Sequence, residues 1–118
     1  MKLEVGMYVR TKDGIIDKVI IDYNGHCANP NCECKHISCA KNYYDEDKIV
    51  KASYNIIDIL EVGDMVNSLI ITKISEDNET NKKYINLYGS LCEWENEDIK
   101  SVITHEQMKQ MAYKVDDI

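Results

Sequence analysis

Apolar and polar positions alternate over short stretches of this chain and rarely sustain a helical period. Leu3-Glu4-Val5-Gly6 reads as a short strand entering a turn, with Gly6 supplying the backbone freedom the turn needs. Asp13-Gly14 is a favoured pair for a tight hairpin, and Ile16, Lys18 and Ile20 continue with a period of two. Further strands are predicted at Ile49 to Ala52 and Ile99 to Ile103, each after an acidic stretch. A Ser or Thr then opens a helical turn: Thr104-x-x-Gln107 fits a capping box, and Ser53-Tyr54-Asn55-Ile56 a looser version of it. The second helical segment, His105 to Met111, is about two turns long, and Met108 and Met111 are spaced to face a core. A terminal strand over Ala112 to Val115 closes the pattern and leaves Asp116-Asp117-Ile118 as a solvated tail.

The same pattern occurs twice. Leu3-Glu4-Val5-Gly6-Met7-Tyr8-Val9 returns as Leu60-Glu61-Val62-Gly63-Asp64-Met65-Val66, an offset of 57. Asp17-Lys18-Val19 is then matched to Thr72-Lys73-Ile74 at 55, and Tyr44 with Ile49 to Trp94 with Ile99 at 50. The expectation is a mainly β, β-rich α+β chain: a duplicated small antiparallel sheet or partial barrel of the Src-homology type with short helical turns. The first repeat spans 1–59 and carries a Cys/His-rich insertion at 23–39; the second spans 60–118 and ends in the short helix. A unit of this size buries little surface alone, so the two are expected to pack into one body.

Composition sharpens this picture. The chain of 118 residues has 44% hydrophobic residues, eight Tyr but no Phe, one Pro and five Gly, a budget that suits strands. Twenty-one acidic against fourteen basic residues give a net charge of −7. That balance disfavours general binding to a phosphate backbone, which needs a basic surface. No apolar run is long enough to span a bilayer, and Met1-Lys2-Leu3-Glu4 lacks an export signal, so a cytoplasmic protein without membrane contact is expected.

The densest chemistry lies in His26-Cys27-Ala28-Asn29-Pro30-Asn31-Cys32-Glu33-Cys34-Lys35-His36-Ile37-Ser38-Cys39. Tetrahedral zinc needs four soft or borderline ligands converging from a loop that can fold back, and Asn24-Gly25 and Asn29-Pro30 provide the turns. Cys27, Cys32, Cys34 and Cys39 are the candidate ligands of a structural zinc, with His26 or His36 as a substitute for one of them. Disulfides are the alternative in an oxidising compartment, and idle free thiols the third reading. A closed four-thiolate site has no position for water, which points to structure and away from hydrolysis.

Tyr43, Tyr44, Asp45, Glu46 and Asp47, together with Trp94 and Glu95, form a candidate acidic, aromatic partner-binding surface; the competing reading is a solvated hairpin edge whose charges block strand addition. No His or Lys stands at a readable spacing from these carboxylates, and no phosphate loop, serine elbow or dinucleotide fingerprint occurs, so a non-enzymatic protein is expected. Cys92 is read as a small packed apolar residue, and His105 as exposed.

The run Ser53-Tyr54-Asn55-Ile56-Ile57-Asp58-Ile59-Leu60-Glu61-Val62-Gly63-Asp64-Met65-Val66-Asn67 and the ending Ile103-Thr104-His105-Glu106-Gln107-Met108 to Tyr113-Lys114-Val115 resemble a group of small hypothetical proteins encoded by phages and prophages of low-GC Gram-positive bacteria. The resemblance omits the cysteine segment and lends no functional residue. It implies a short accessory protein in a bacterial cytoplasm that binds a host protein, with inhibition of a defence system as the concrete form. One alternative function is a nucleic-acid-associated module working only through the zinc loop, with Lys35, Lys41, Tyr43 and Tyr44. The other is a thiol redox or metal-handling protein with labile cysteines.

Overall fold

The computed structural model describes residues 3–21 and 36–112, with only the backbone described for Ile21, His36, Ile37, Ser38 and Tyr43. The chain forms two compact units, Met1–Ile59 and Leu60–Ile118. In the first lie β1 (Tyr8–Thr11), β2 (Ile16–Ile21), β3 (His36–Cys39), β4 (Tyr43–Asp45) and β5 (Ile49–Ser53); in the second, β6 (Met65–Val66), β7 (Leu69–Glu76), β8 (Lys83–Leu87), β9 (Glu93–Trp94), β10 (Val102–Ile103) and helix α1 (His105–Met111). Each unit holds one antiparallel five-stranded sheet, ordered β4-β3-β2-β1-β5 and β10-β6-β7-β8-β9. The two orders are the same: a four-strand meander, then a fifth strand that returns to pair with the first. A 3-10 turn, Glu46–Lys48 or Asn96–Asp98, precedes the fifth strand in both. Among the described residues neither sheet closes on itself, and no helix is long and apolar enough to cross a membrane.

Backbone hydrogen bonds make the correspondence specific. In the first unit Gly6 N–H donates to Val19 O, Met7 N–H to Glu4 O and Val19 N–H to Met7 O. In the second Gly63 N–H donates to Ile71 O, Asp64 N–H to Glu61 O and Ile71 N–H to Asp64 O. Gly6 and Gly63 hold φ of 94° and 98°, the left-handed region that a side chain enters only with strain. Val19 therefore corresponds to Ile71, not to Ile74 as the sequence match suggested. The opening hairpin accounts for this: β1 and β2 are joined through Lys12 to Ile15, whereas β6 turns into β7 through Asn67-Ser68 alone. Those two residues sit at φ 51° and 71°, the left-handed pair of a tight two-residue hairpin.

A register shift follows Val19 in the β2–β3 pairing and Ile71 in the β7–β8 pairing, bending both sheets at the same place. Opposite it stand Cys39 in one unit and Leu87 in the other. Beyond it the second unit extends β7 and β8 as a hairpin arm out to Glu76 and Lys83.

Each unit buries its own set of apolar side chains. Leu3, Val9, Val19, Cys39 and Ile49 cluster in the first unit, with Tyr44 and Ala52 packed against them. Leu60, Val66, Ile71, Ile85 and Leu87 are buried in the second. Arg10, the sole arginine of the chain, lies in β1 between β2 and β5, is fully buried and donates from Nη1 to the Ile59 carbonyl at 3.0 Å. It is thus withdrawn from any surface that could meet a phosphate.

Several expectations are corrected in detail. Ile20 is half exposed while Asp17 is buried, so the inward face of β2 carries Asp17 and Val19. Only Val102 and Ile103 of the strand expected from Ile99 pair with a neighbour, because the N–H groups of Lys100 and Ser101 donate to Asn67 Oδ1, at 2.8 and 3.1 Å. The helix spans the predicted residues, but Met111 is exposed. The terminal strand expected over Ala112 to Val115 lies outside the described residues beyond Ala112.

Candidate metal centre

Of the predicted zinc ligands, His26, Cys27, Cys32 and Cys34 lie outside the described residues. The backbone of His36 opens β3 opposite Asp45. Cys39 ends that strand as a core residue, 6% exposed, where the second unit has Leu87. Burial, and then the nearby Asp17 carboxylate, push its thiol up to about 11. Cys92 is exposed, contrary to its reading as a packed residue. It follows Leu91 on the β8–β9 turn, where Tyr88 and Leu91 are also exposed.

The predicted acidic, aromatic surface is divided. Tyr44 is half-buried and donates its hydroxyl to Asp17 Oδ2 at 3.0 Å. Asp17 also accepts the N–H of Lys18 at 2.8 Å and of Lys41 at 3.0 Å, so this buried carboxylate ties the β3–β4 turn to β2. Trp94 is half-buried and donates from Nε1 to Ser90 Oγ at 3.0 Å. Glu95 is half-buried at the head of the second 3-10 turn and forms a capping box with Asp98. Asp45 and Asp47 are exposed and Glu46 half-buried; the Tyr43 side chain is outside the described residues.

The structure brings together three residues that sequence reasoning left apart. Thr104 caps α1, its Oγ1 accepting the Gln107 N–H while the Gln107 side chain accepts the Thr104 N–H. Asp64, fully buried, accepts the N–H of Glu61 at 2.8 Å through one oxygen and the N–H of His105 at 2.9 Å through the other. One carboxylate thereby holds the repeated Leu-Glu-Val-Gly turn against the start of the helix. His105 Nε2 then lies 2.8 Å from Glu61 Oε1 and 3.2 Å from Glu106 Oε1, with side chains 36%, 33% and 25% exposed in that order. The three donor atoms all lie within 4.8 Å of one another, and this is the one such group of His, Cys, Asp and Glu among the described residues.

His105 is thus partly covered and paired, not simply exposed. No spacing rule joins Glu61 to His105, 44 residues apart. The signals present in the sequence were indirect: an acidic residue inside the repeated motif, and a histidine directly after a well-defined helix cap.

The first unit builds the same place differently. Glu4, the counterpart of Glu61, accepts the Tyr54 hydroxyl at 2.6 Å, and Met7 Sδ, at the position of Asp64, accepts the Glu4 N–H at 3.2 Å. The Glu-His-Glu arrangement therefore belongs to the second unit. No protein-family model, curated protein or solved structure gives a significant match to this chain.

Proposed function

We propose that the protein is a non-enzymatic interaction protein, made of two copies of a small Src-homology-type β unit, whose first copy presents a zinc-stabilised loop to a protein partner. The observation that supports this most is the shared strand order with its matching backbone bonds and bend, against which the Cys/His segment is the largest departure. In the sequence the segment connects β2 to β3, and connections between strands commonly carry contacts. A meander whose fifth strand returns beside the first after a 3-10 turn also suits the Src-homology type.

In this reading Cys27, Cys32 and Cys34 hold zinc, with the fourth ligand from Cys39, His26 or His36. The burial of Cys39 in the position of Leu87 favours a histidine. A structural zinc contributes on the order of 10 kcal/mol in small peptides, enough to order a loop. The exposed carboxylates Asp45 and Asp47, with the −7 charge of the chain, favour a basic partner surface. From the sequence resemblance, that partner is a host protein in a bacterial cytoplasm, and the outcome of binding is inhibition of a defence system.

The test is a mercurial titration of protein purified without chelator, with released zinc followed by an indicator dye, alongside pull-downs of wild type and a Cys27→Ser/Cys32→Ser/Cys34→Ser variant from host extract. Zinc released in step with thiol modification, and a captured host protein lost in the variant, are expected. Thiols that react without releasing zinc, or capture that ignores the cysteines, would overturn the reading.

A further inference from the structure

We propose that Glu61, His105 and Glu106 form a binding site for a divalent transition-metal ion of the zinc, cobalt or nickel class, with at least one coordination position left open. The site is separate from the cysteine segment and stands or falls independently of it.

The donor set selects the ion. One imidazole nitrogen with two carboxylate oxygens suits borderline transition metals, whereas magnesium and calcium take oxygen ligands throughout. The spacing is close as well. Zinc lies about 2.0–2.1 Å from nitrogen and oxygen donors, which places tetrahedral neighbours about 3.3 Å apart. The observed separations from His105 Nε2 are 2.8 Å to Glu61 and 3.2 Å to Glu106. Both separations fall short of that value, so admitting an ion calls for outward movement of the carboxylates.

Convergence on a single atom is the second argument. Both carboxylates approach Nε2. A divalent ion at that place would be shared by all three donors. The side chains are one quarter to about one third exposed, so an ion reaches them without opening the core, and water or a partner's side chain can complete the shell.

The support beneath the donors is rigid. Buried Asp64 receives the N–H groups of both Glu61 and His105, fixing the two ligand-bearing backbones relative to each other. Groups of this kind around a metal orient its ligands. At the matching place in the first unit, Glu4 meets a tyrosine hydroxyl, and among the described residues no such group of donors forms there.

The experiment is a titration of the full-length, isotopically labelled chain with zinc alone, following the ring nitrogens of His105 by NMR and the backbone amide spectrum for fold. Saturable displacement of the His105 Nε2 resonance is expected with zinc and not with magnesium. In Glu61→Gln, which keeps the shape of the side chain, the zinc affinity read at His105 should fall at least about tenfold, the scale seen when even outer groups of a metal site are removed. An unmoved His105 ring in a folded wild-type chain would overturn the proposal, as would unchanged affinity in the folded Glu61→Gln variant. Should that variant misfold, the wild-type titration alone decides. Zinc taken up only by the cysteines leaves His105 unmoved and so counts against this site while supporting the loop.

Discussion

At the scale of single residues, buried polar groups do the organising that apolar patterning cannot. Asp17 lies on the inward face of β2 because three donors converge on it, the N–H groups of Lys18 and Lys41 and the Tyr44 hydroxyl. Burial first, and then the hydrogen bond and charge of Asp17, push Tyr44 up to about 12. The neutral phenol is the form the folded state prefers, whereas an unfolded chain ionises its tyrosines near about 10. The stabilising effect is fully present below about pH 10 and is lost as pH rises towards 12. Thermal melting between these limits should therefore fall more steeply for wild type than for Tyr44→Phe, and equal slopes would count against the linkage. None of this was legible in the sequence, since an alternating Ile16, Lys18, Ile20 set points to the opposite face.

At the scale of elements, what was legible and what was not divide along sequence distance. The Thr104 capping box, the Asp13-Gly14 hairpin and the strand from Ile49 are local, and the structure has each of them. The shortening of the strand expected from Ile99 depends on Asn67, far away in sequence, whose side chain takes the N–H groups that strand pairing would use. Asp64 is the corresponding long-range clasp between the Leu60-Glu61-Val62-Gly63 turn and α1. Asp64→Ala should leave two N–H groups without their acceptor and cost about 2–4 kcal/mol. Trp94, the one tryptophan, lies in this unit, so its fluorescence during urea unfolding measures the loss. A change under about 0.5 kcal/mol, as for an ordinary surface substitution, would mean that water or relaxation satisfies those groups.

At the scale of the whole molecule, the sequence match at Leu3 and Leu60 falls on two turns with matching backbone bonds, whereas its continuation from Asp17 does not keep the same correspondence. Identical letters mark a turn well, whereas hairpins of different length slide the register without leaving a letter pattern. The same distance hides the Glu61, His105 and Glu106 cluster, while the cysteine segment is conspicuous because its residues are neighbours in the chain. The core places Cys39 where the second unit has Leu87, which separates the thiols by physical setting. In native protein treated with chelator, a thiol reagent should modify Cys92 quickly and Cys39 only once the chain unfolds, as peptide mapping would show. Rapid labelling of Cys39 in the folded chain would contradict its place in the core. The paired positions Met7 and Asp64 have one more consequence, in chemical ageing. Each satisfies the same backbone N–H of its turn, one through sulfur and the other through a carboxylate. Peroxide converts a thioether into a bulkier, polar sulfoxide and leaves a carboxylate untouched. The two otherwise matching turns therefore differ in their exposure to oxidative damage, and the first unit carries the vulnerable one.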